Sequence, residues 1–255
     1  FPLGKIEDLP REFSIGETAI LDQKETDYCS AFATCAASTF QEKITLHPVW
    51  SFAVSKMISG GVNEWGQDLR SACKTLQKYG SIALESFEFN LDPKFRDINN
   101  FPEILFAEAE MHKKQSYFRI DNGNTFDDIR LALWANKDEK RAIITGVLWR
   151  PNWIYAFNGI IPKIILENTG FGHAFIITGW KEIGGEPYLT AQLSNGTGIG
   201  DKGKFYFPKN IVQREFTYGA YCFKDLPPEI AKKVGWSFWI KVLNIIKIWW
   251  EEIMK

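Results

Sequence analysis

Two side chains of this sequence have the type and setting for covalent chemistry, Cys29 and His173. A thiol becomes a nucleophile when a helix N-terminus favours its thiolate and an imidazole nearby exchanges its proton. Cys29 opens the Ala-rich run CSAFATCAASTFQEK, in which Phe32, Ala36, Thr39 and Phe40 recur at helical spacing. It therefore falls in the first turn of a predicted buried helix. Taken alone it would read as an inert thiol, because free Cys behaves as a small hydrophobe. Its standing depends on the imidazole.

The chain has three histidines. His47 stands beside Pro48 at a predicted helix start, and His112 lies in the charged run 110–114, where a solvated surface role is expected. His173 differs, since it begins the apolar run HAFIITGW with Gly170, Gly172 and Gly179 around it. A histidine at the open end of a buried strand faces a cleft. Cys35, Cys73 and Cys222 read as core residues of two helices and a strand. No Cys-x-x-Cys pair or His/Cys cluster is present, so neither a metal nor another cofactor is expected.

The elements that must bring Cys29 and His173 together follow from periodicity. Helices are predicted over 29–43, over 47–59 with Gly60 and Gly61 as its stop, over 68–79 ending at Gly80, and over 125–135. Strands are predicted over 142–149, 173–180, 188–193 and 204–207, where β-branched and aromatic residues take over. A helical first half followed by a strand-rich second half gives an α+β arrangement of two lobes.

At this point a resemblance becomes specific. LDQKETDYCSAFA (21–33) resembles the papain-family block in which a Gln stands six positions before the nucleophilic Cys, and here Gln23 does. TGFGHAFIITGW (169–180) resembles the same family's Gly-His-Ala block, 144 residues downstream of Cys29, within the family gap of about 130–150. SNGTGIGDKGKFYF (194–207) resembles its glycine-rich hairpin, GGVNEWGQDLRSACKTLQKYG (60–80) its cleft-wall loop and helix, and LHPVWSFAVSK (46–56) its second helix. The resemblance covers roughly residues 9–225, with likeness to bacterial branches that lack the family's disulfides.

It implies a papain-like α+β fold over 1–225, with a helical left lobe at about 20–120 and an antiparallel β right lobe at about 121–225, the cleft between them. It implies cysteine-dependent hydrolysis of a polypeptide substrate through a thioester. Cys29 would attack, His173 would carry the proton, and Gln23 with the Cys29 N–H would hold the oxyanion. Acyl transfer to an amine uses the same machinery.

Departures accompany the likeness. The family's imidazole-orienting Asn falls on Leu193, Ser194 matches, and Asn195 takes the place of a Trp. Asn195 either reaches His173 from one pleat further along the strand or caps the turn before Gly196. An unsatisfied imidazole N–H costs about 1–3 kcal/mol, roughly tenfold to a hundredfold in rate. Loss of the orienting residue therefore also admits an impaired relative that serves as a binding protein. Ser30 replaces the Trp after the Cys, Thr26 stands where many relatives have a disulfide cysteine, and Asp27 with Tyr28 replaces small residues, Asp27 opposing thiolate formation.

Composition bounds the rest. With 30 basic and 31 acidic residues there is no field to gather phosphates, so nucleic acid is not an expected partner. Four cysteines are too few for a disulfide scaffold, though one bridge among the other three stays open. The start at Phe1, without Met or a leader-like apolar run, reads as processing or trimming. Asn195-Gly196-Thr197 matches a glycosylation triplet by coincidence, since it falls where the active site should be.

Residues 226–255 form an apolar tail predicted to be helical, with Trp236, Trp239, Trp249 and Trp250 outside a narrow polar stripe. Lys241 and Lys247 leave no uncharged run of membrane-spanning length. The tail's expected cover is the catalytic unit, a sister chain, a partner protein or a membrane surface.

Overall fold

The computed structural model describes residues 5–59, 61–120, 125–165, 169–227 and 229–230. The tail expectation, apart from its first residues, and Gly60 as a helix stop lie outside them. The helices are α1 Cys29–Glu42, α2 Pro48–Ser59, α3 Leu69–Lys78, α4 Leu105–Ala109, α5 Thr125–Ala135 and α6 Lys209–Glu215. The strands are β1 Phe13–Ser14, β2 Lys114–Arg119, β3 Ile143–Trp149, β4 Phe171–Ile183, β5 Glu186–Gln192, β6 Lys204–Pro208 and β7 Ala220–Asp225. The fold is α+β: α2 and α4 share one aromatic core, while α5 and α6 pack with the antiparallel sheet in the other.

Helix α1 is buried on two faces, which is why its sequence is apolar nearly all round. Ala33, Ala37 and Phe40 join the large core of the sheet side, while Ala31 and Phe32 join a smaller aromatic core with Trp50, Phe52, Phe95 and Phe101. One rigid helix thus touches both halves, and its first residue lies at their junction.

Local capping fixes the neighbours. The His47 Nδ1 accepts the Trp50 N–H at 3.2 Å at the start of α2, and the Asp68 carboxylate accepts the Ser71 N–H at 2.8 Å at the start of α3. Gly80 follows α3 at φ +77°, and a Cβ there would lie 1.8 Å from the Ala109 carbonyl oxygen. Only glycine fits both demands.

The sheet runs in the order β2-β7-β3-β4-β5-β6, with β1 laid on β4. The central strand β4 pairs with β1, β3 and β5 and is longer at both ends than its apolar run predicts. Strand β2 escapes sequence reading because its residues, KQSYFR, carry little apolar alternation; its pairing with β7 makes it a strand.

One expectation is corrected. His112 is not a solvated surface residue: its side chain is 16% exposed and its Nδ1 contacts Glu42. Beside it the fully buried Lys114 ammonium is held between Glu42 and Asp225, the latter at 2.6 Å. The charged run looked solvated because Glu42, 70 residues earlier in the chain, is not visible as its partner. Among the described residues no helix is long and apolar enough to cross a membrane.

Candidate active site

Cys29 is the first residue of α1, where the helix leaves backbone N–H groups unpaired, and Tyr28 provides no side-chain cap. Its side chain is partly exposed into a cleft of about 1000 Å³ that His173, Gln23 and Asn195 also line. Burial pushes the thiol above its ordinary pKa; backbone hydrogen bonds from Ala174 and Ser30 act against this, and the Asp27 carboxylate adds to it. Ala174 is the residue after His173 on β4, so the strand that carries the imidazole also touches the sulfur.

His173 pairs across the sheet with Val147 and is buried among Trp149, Phe171 and Phe175, whose ring centroids lie 5.5, 6.4 and 6.1 Å away. Burial lowers its pKa to about 4, opposed by a hydrogen bond to the Asn195 side chain. At neutral pH both groups therefore rest uncharged, a thiol and an imidazole lining one cleft.

Asn195 reaches the ring, but by a different route from the one that strand periodicity suggests. Strand β5 ends at Gln192, so residues 193 and 195 do not share a pleat. Leu193 turns into the large core, its N–H bonded to the Gly203 carbonyl at 3.1 Å, while Asn195 lines the cleft. The chain bends at Ser194, between the two residues, and their side chains part there.

Gln23 is fixed at both ends of its amide. Its Nε2 donates to the Thr26 carbonyl at 2.8 Å and its Oε1 accepts the Ser194 hydroxyl at 2.5 Å. The backbone is tied as well, Gln23 N–H to the Ser194 carbonyl at 2.8 Å. One Nε2 hydrogen stays uncommitted by these bonds.

The opposite wall is a loop, residues 61–67, held by a buried ion cluster that sequence reading misses. The Asp27 side chain is 2% exposed and accepts from Arg96 Nη1 at 2.5 Å, from Nη2 at 3.1 Å, and from the Gly66 N–H. Arg96 also donates to the Glu64 and Val62 carbonyls at 2.6 and 3.2 Å, and Lys56 Nζ to the Glu64 carbonyl at 2.7 Å and to that of Gly66. Asp27 is visible in the sequence as an acid beside the nucleophile, but Arg96 lies 69 residues away with no motif around it. All four cysteines are free, so the bridge left open by sequence does not form. Among the described residues no cluster of His, Cys, Asp or Glu is arranged to hold a metal.

No model of a known protein family matches the sequence, and no curated protein does. Solved structures do resemble it. Xylellain, a cysteine protease from Xylella fastidiosa, superposes with a TM-score of 0.73 at 19% identity, over 87% of this chain and 88% of its own. Procathepsin L 3 of Tenebrio molitor gives 0.66 at 13% identity over 85% and 70%, and bromelain from Ananas comosus 0.63 at 16% over 86% and 100%. At such identities the likeness establishes the papain-like fold and leaves the chemistry to the residues of the cleft.

Proposed function

We propose that this chain hydrolyses peptide bonds through a thioester acyl-enzyme, with Cys29 as nucleophile and His173 as proton carrier. The observation that supports it most is the convergence on one cleft of a helix-terminal thiol, a neutral imidazole and the Gln23 amide. A polypeptide substrate suits a cleft of about 1000 Å³ lined from both the loop at residues 61–67 and strand β4.

In this reading the Cys29 sulfur bonds to the scissile carbonyl carbon as its proton passes to His173. The carbonyl electron pair moves to oxygen, where the Cys29 N–H and the uncommitted Gln23 Nε2 hydrogen receive it. Collapse breaks the C–N bond, and the amine leaves with the proton from His173. Water then attacks the thioester, His173 takes its proton, and the acid departs as the thiol is restored. Asn195 holds the ring so that one nitrogen faces the sulfur.

The direct test compares the wild type with Cys29→Ala on an unstructured protein, with and without a thiol-directed inhibitor. Cleavage that depends on Cys29 and stops with the inhibitor supports the reading; cleavage by both chains sinks it. A second reading, a binding protein with impaired catalysis, is favoured by Leu193 in the core and by the uncharged thiol. Under it an alkylating probe would label Cys29 no faster than the buried Cys35, whose thiol is pushed up to about 12 by burial.

A further inference from the structure

The segment joining β3 to β4 presents large apolar side chains to water beside the cleft. Ile154 is 39% exposed, Tyr155 86%, Phe157 82% and Phe171, which opens β4, 53%. Exposed apolar groups gathered in this way mark binding surfaces more often than accidents of composition.

They do not sit on a loose loop. Trp153 is buried between Trp149 and Phe207, with ring centroids at 5.5 and 5.7 Å. Further on, Ile160 bridges to Tyr206 and the Ile161 N–H donates to the Tyr206 carbonyl at 3.0 Å. Gly159 at φ +70° lies so close to β6 that a Cβ would meet the Lys204 carbonyl oxygen at 2.3 Å. The backbone is pinned on either side of the outward-facing rings. Between Pro151 and Ile165 the only charged side chain is Lys163, and Glu186 engages it at 2.6 Å.

The patch meets the cleft at Ile154 and Phe171, which line the same cavity as Cys29 and His173, and Tyr155 and Phe157 follow Ile154 along the chain outside that lining. Chemistry tells which half of a substrate would meet it. The imidazole must hand a proton to the departing amine, so the leaving half lies on the His173 side, where Phe171 and Ile154 are. The acyl half then faces the loop at residues 61–67.

We propose that Ile154, Tyr155, Phe157 and Phe171 form a docking shelf for the leaving-group half of the polypeptide substrate. It selects segments with bulky apolar or aromatic residues just after the bond that is cut. The proposal rests on the Cys29–His173 reading for its direction, and the experiment separates the two.

The full chain carrying Cys29→Ala is titrated, by fluorescence anisotropy, with two peptides identical on the acyl side. One continues Phe-Leu-Phe after the target bond and the other Ser-Gly-Ser. The first should bind at least about tenfold more tightly, and Tyr155→Ser with Phe157→Ser in the same chain should erase that ratio. Ile154→Asn, made separately with its thermal midpoint checked, should reduce it too. Equal affinities, or a ratio that survives both variants, overturn the shelf. So does a chain that sediments as a dimer and dissociates when Tyr155 and Phe157 are replaced, since a second copy would then be the occupant. Wild-type cleavage of a peptide whose leaving group is a small chromogenic amine tests the Cys29–His173 reading by itself.

Discussion

Asp27, two residues before the candidate nucleophile, is bonded through both carboxylate oxygens to Arg96, and the same guanidinium donates to the Glu64 carbonyl at 2.6 Å. The N-terminus of α1 and the opposite wall of the cleft are therefore one electrostatic unit.

Replacing Asp27 by Asn leaves Arg96 buried against a neutral partner, and breaking a buried pair in this way costs about 3–5 kcal/mol. The thermal midpoint of Asp27→Asn should fall and KM for a peptide should rise several-fold more than kcat falls, because the loop carrying Gly66 loosens. The same substitution removes a charge that raises the Cys29 thiol, so the alkylation rate of Cys29 should titrate at lower pH. A midpoint and KM equal to the wild type would show that the pair does not set the loop.

Asn195→Ala should lower kcat by roughly tenfold to a hundredfold with little change in stability, as expected for an imidazole left without its partner. Leu193→Asn should not restore the loss. It puts a polar amide into the large core, and a drop of about 2–4 kcal/mol in denaturant unfolding is expected instead. Rescue by Leu193→Asn would place the orienting role at 193 after all.

Gln23→Ala should reduce kcat by about 10²–10³ if the amide donates to the oxyanion. Ser194→Ala only unpins that amide, so a smaller loss is expected, with the hydrogen bond to the Thr26 carbonyl still in place. Single-turnover acylation rates distinguish the two; equal losses would argue that Gln23 acts by packing alone.

His173 and His47 both have their pKa lowered to about 4, chiefly by burial. In the unfolded chain they titrate near 6.5, so between these values the unfolded state binds more protons and stability falls as pH falls. The contribution is fully present above about pH 6.5 and is lost toward pH 4, on the order of 3 kcal/mol for each group. Urea unfolding from pH 8 to pH 4 should show this slope. It should be shallower in His47→Asn, whose side-chain oxygen can still accept the Trp50 N–H. Activity should persist well below pH 6, since His173 stays unprotonated there; an acid limb near 6.5 would mean that burial does not lower the imidazole.

The helices that place the nucleophile were legible because their signals are local. Ala-rich spacing marks α1, Asp68 and Gly80 bracket α3, and the apolar run after His173 marks β4. Strand β2 and the environment of His112 were not, because a polar strand and a buried ion cluster draw their stability from partners far along the chain. The shared strand face expected for 193 and 195 does not exist: β5 ends at Gln192, and Asn195 lines the cleft after a bend at Ser194.

The order of residues by itself determined the candidate chemistry, for the spacing of Gln23, Cys29 and His173 around an Ala-rich helix and an apolar strand is a local pattern. Tertiary structure alone decided which side chain meets the ring, how the cleft wall is held, and that thiol and imidazole rest uncharged. Those depend on burial and on contacts across the fold, and neither is written in neighbouring residues.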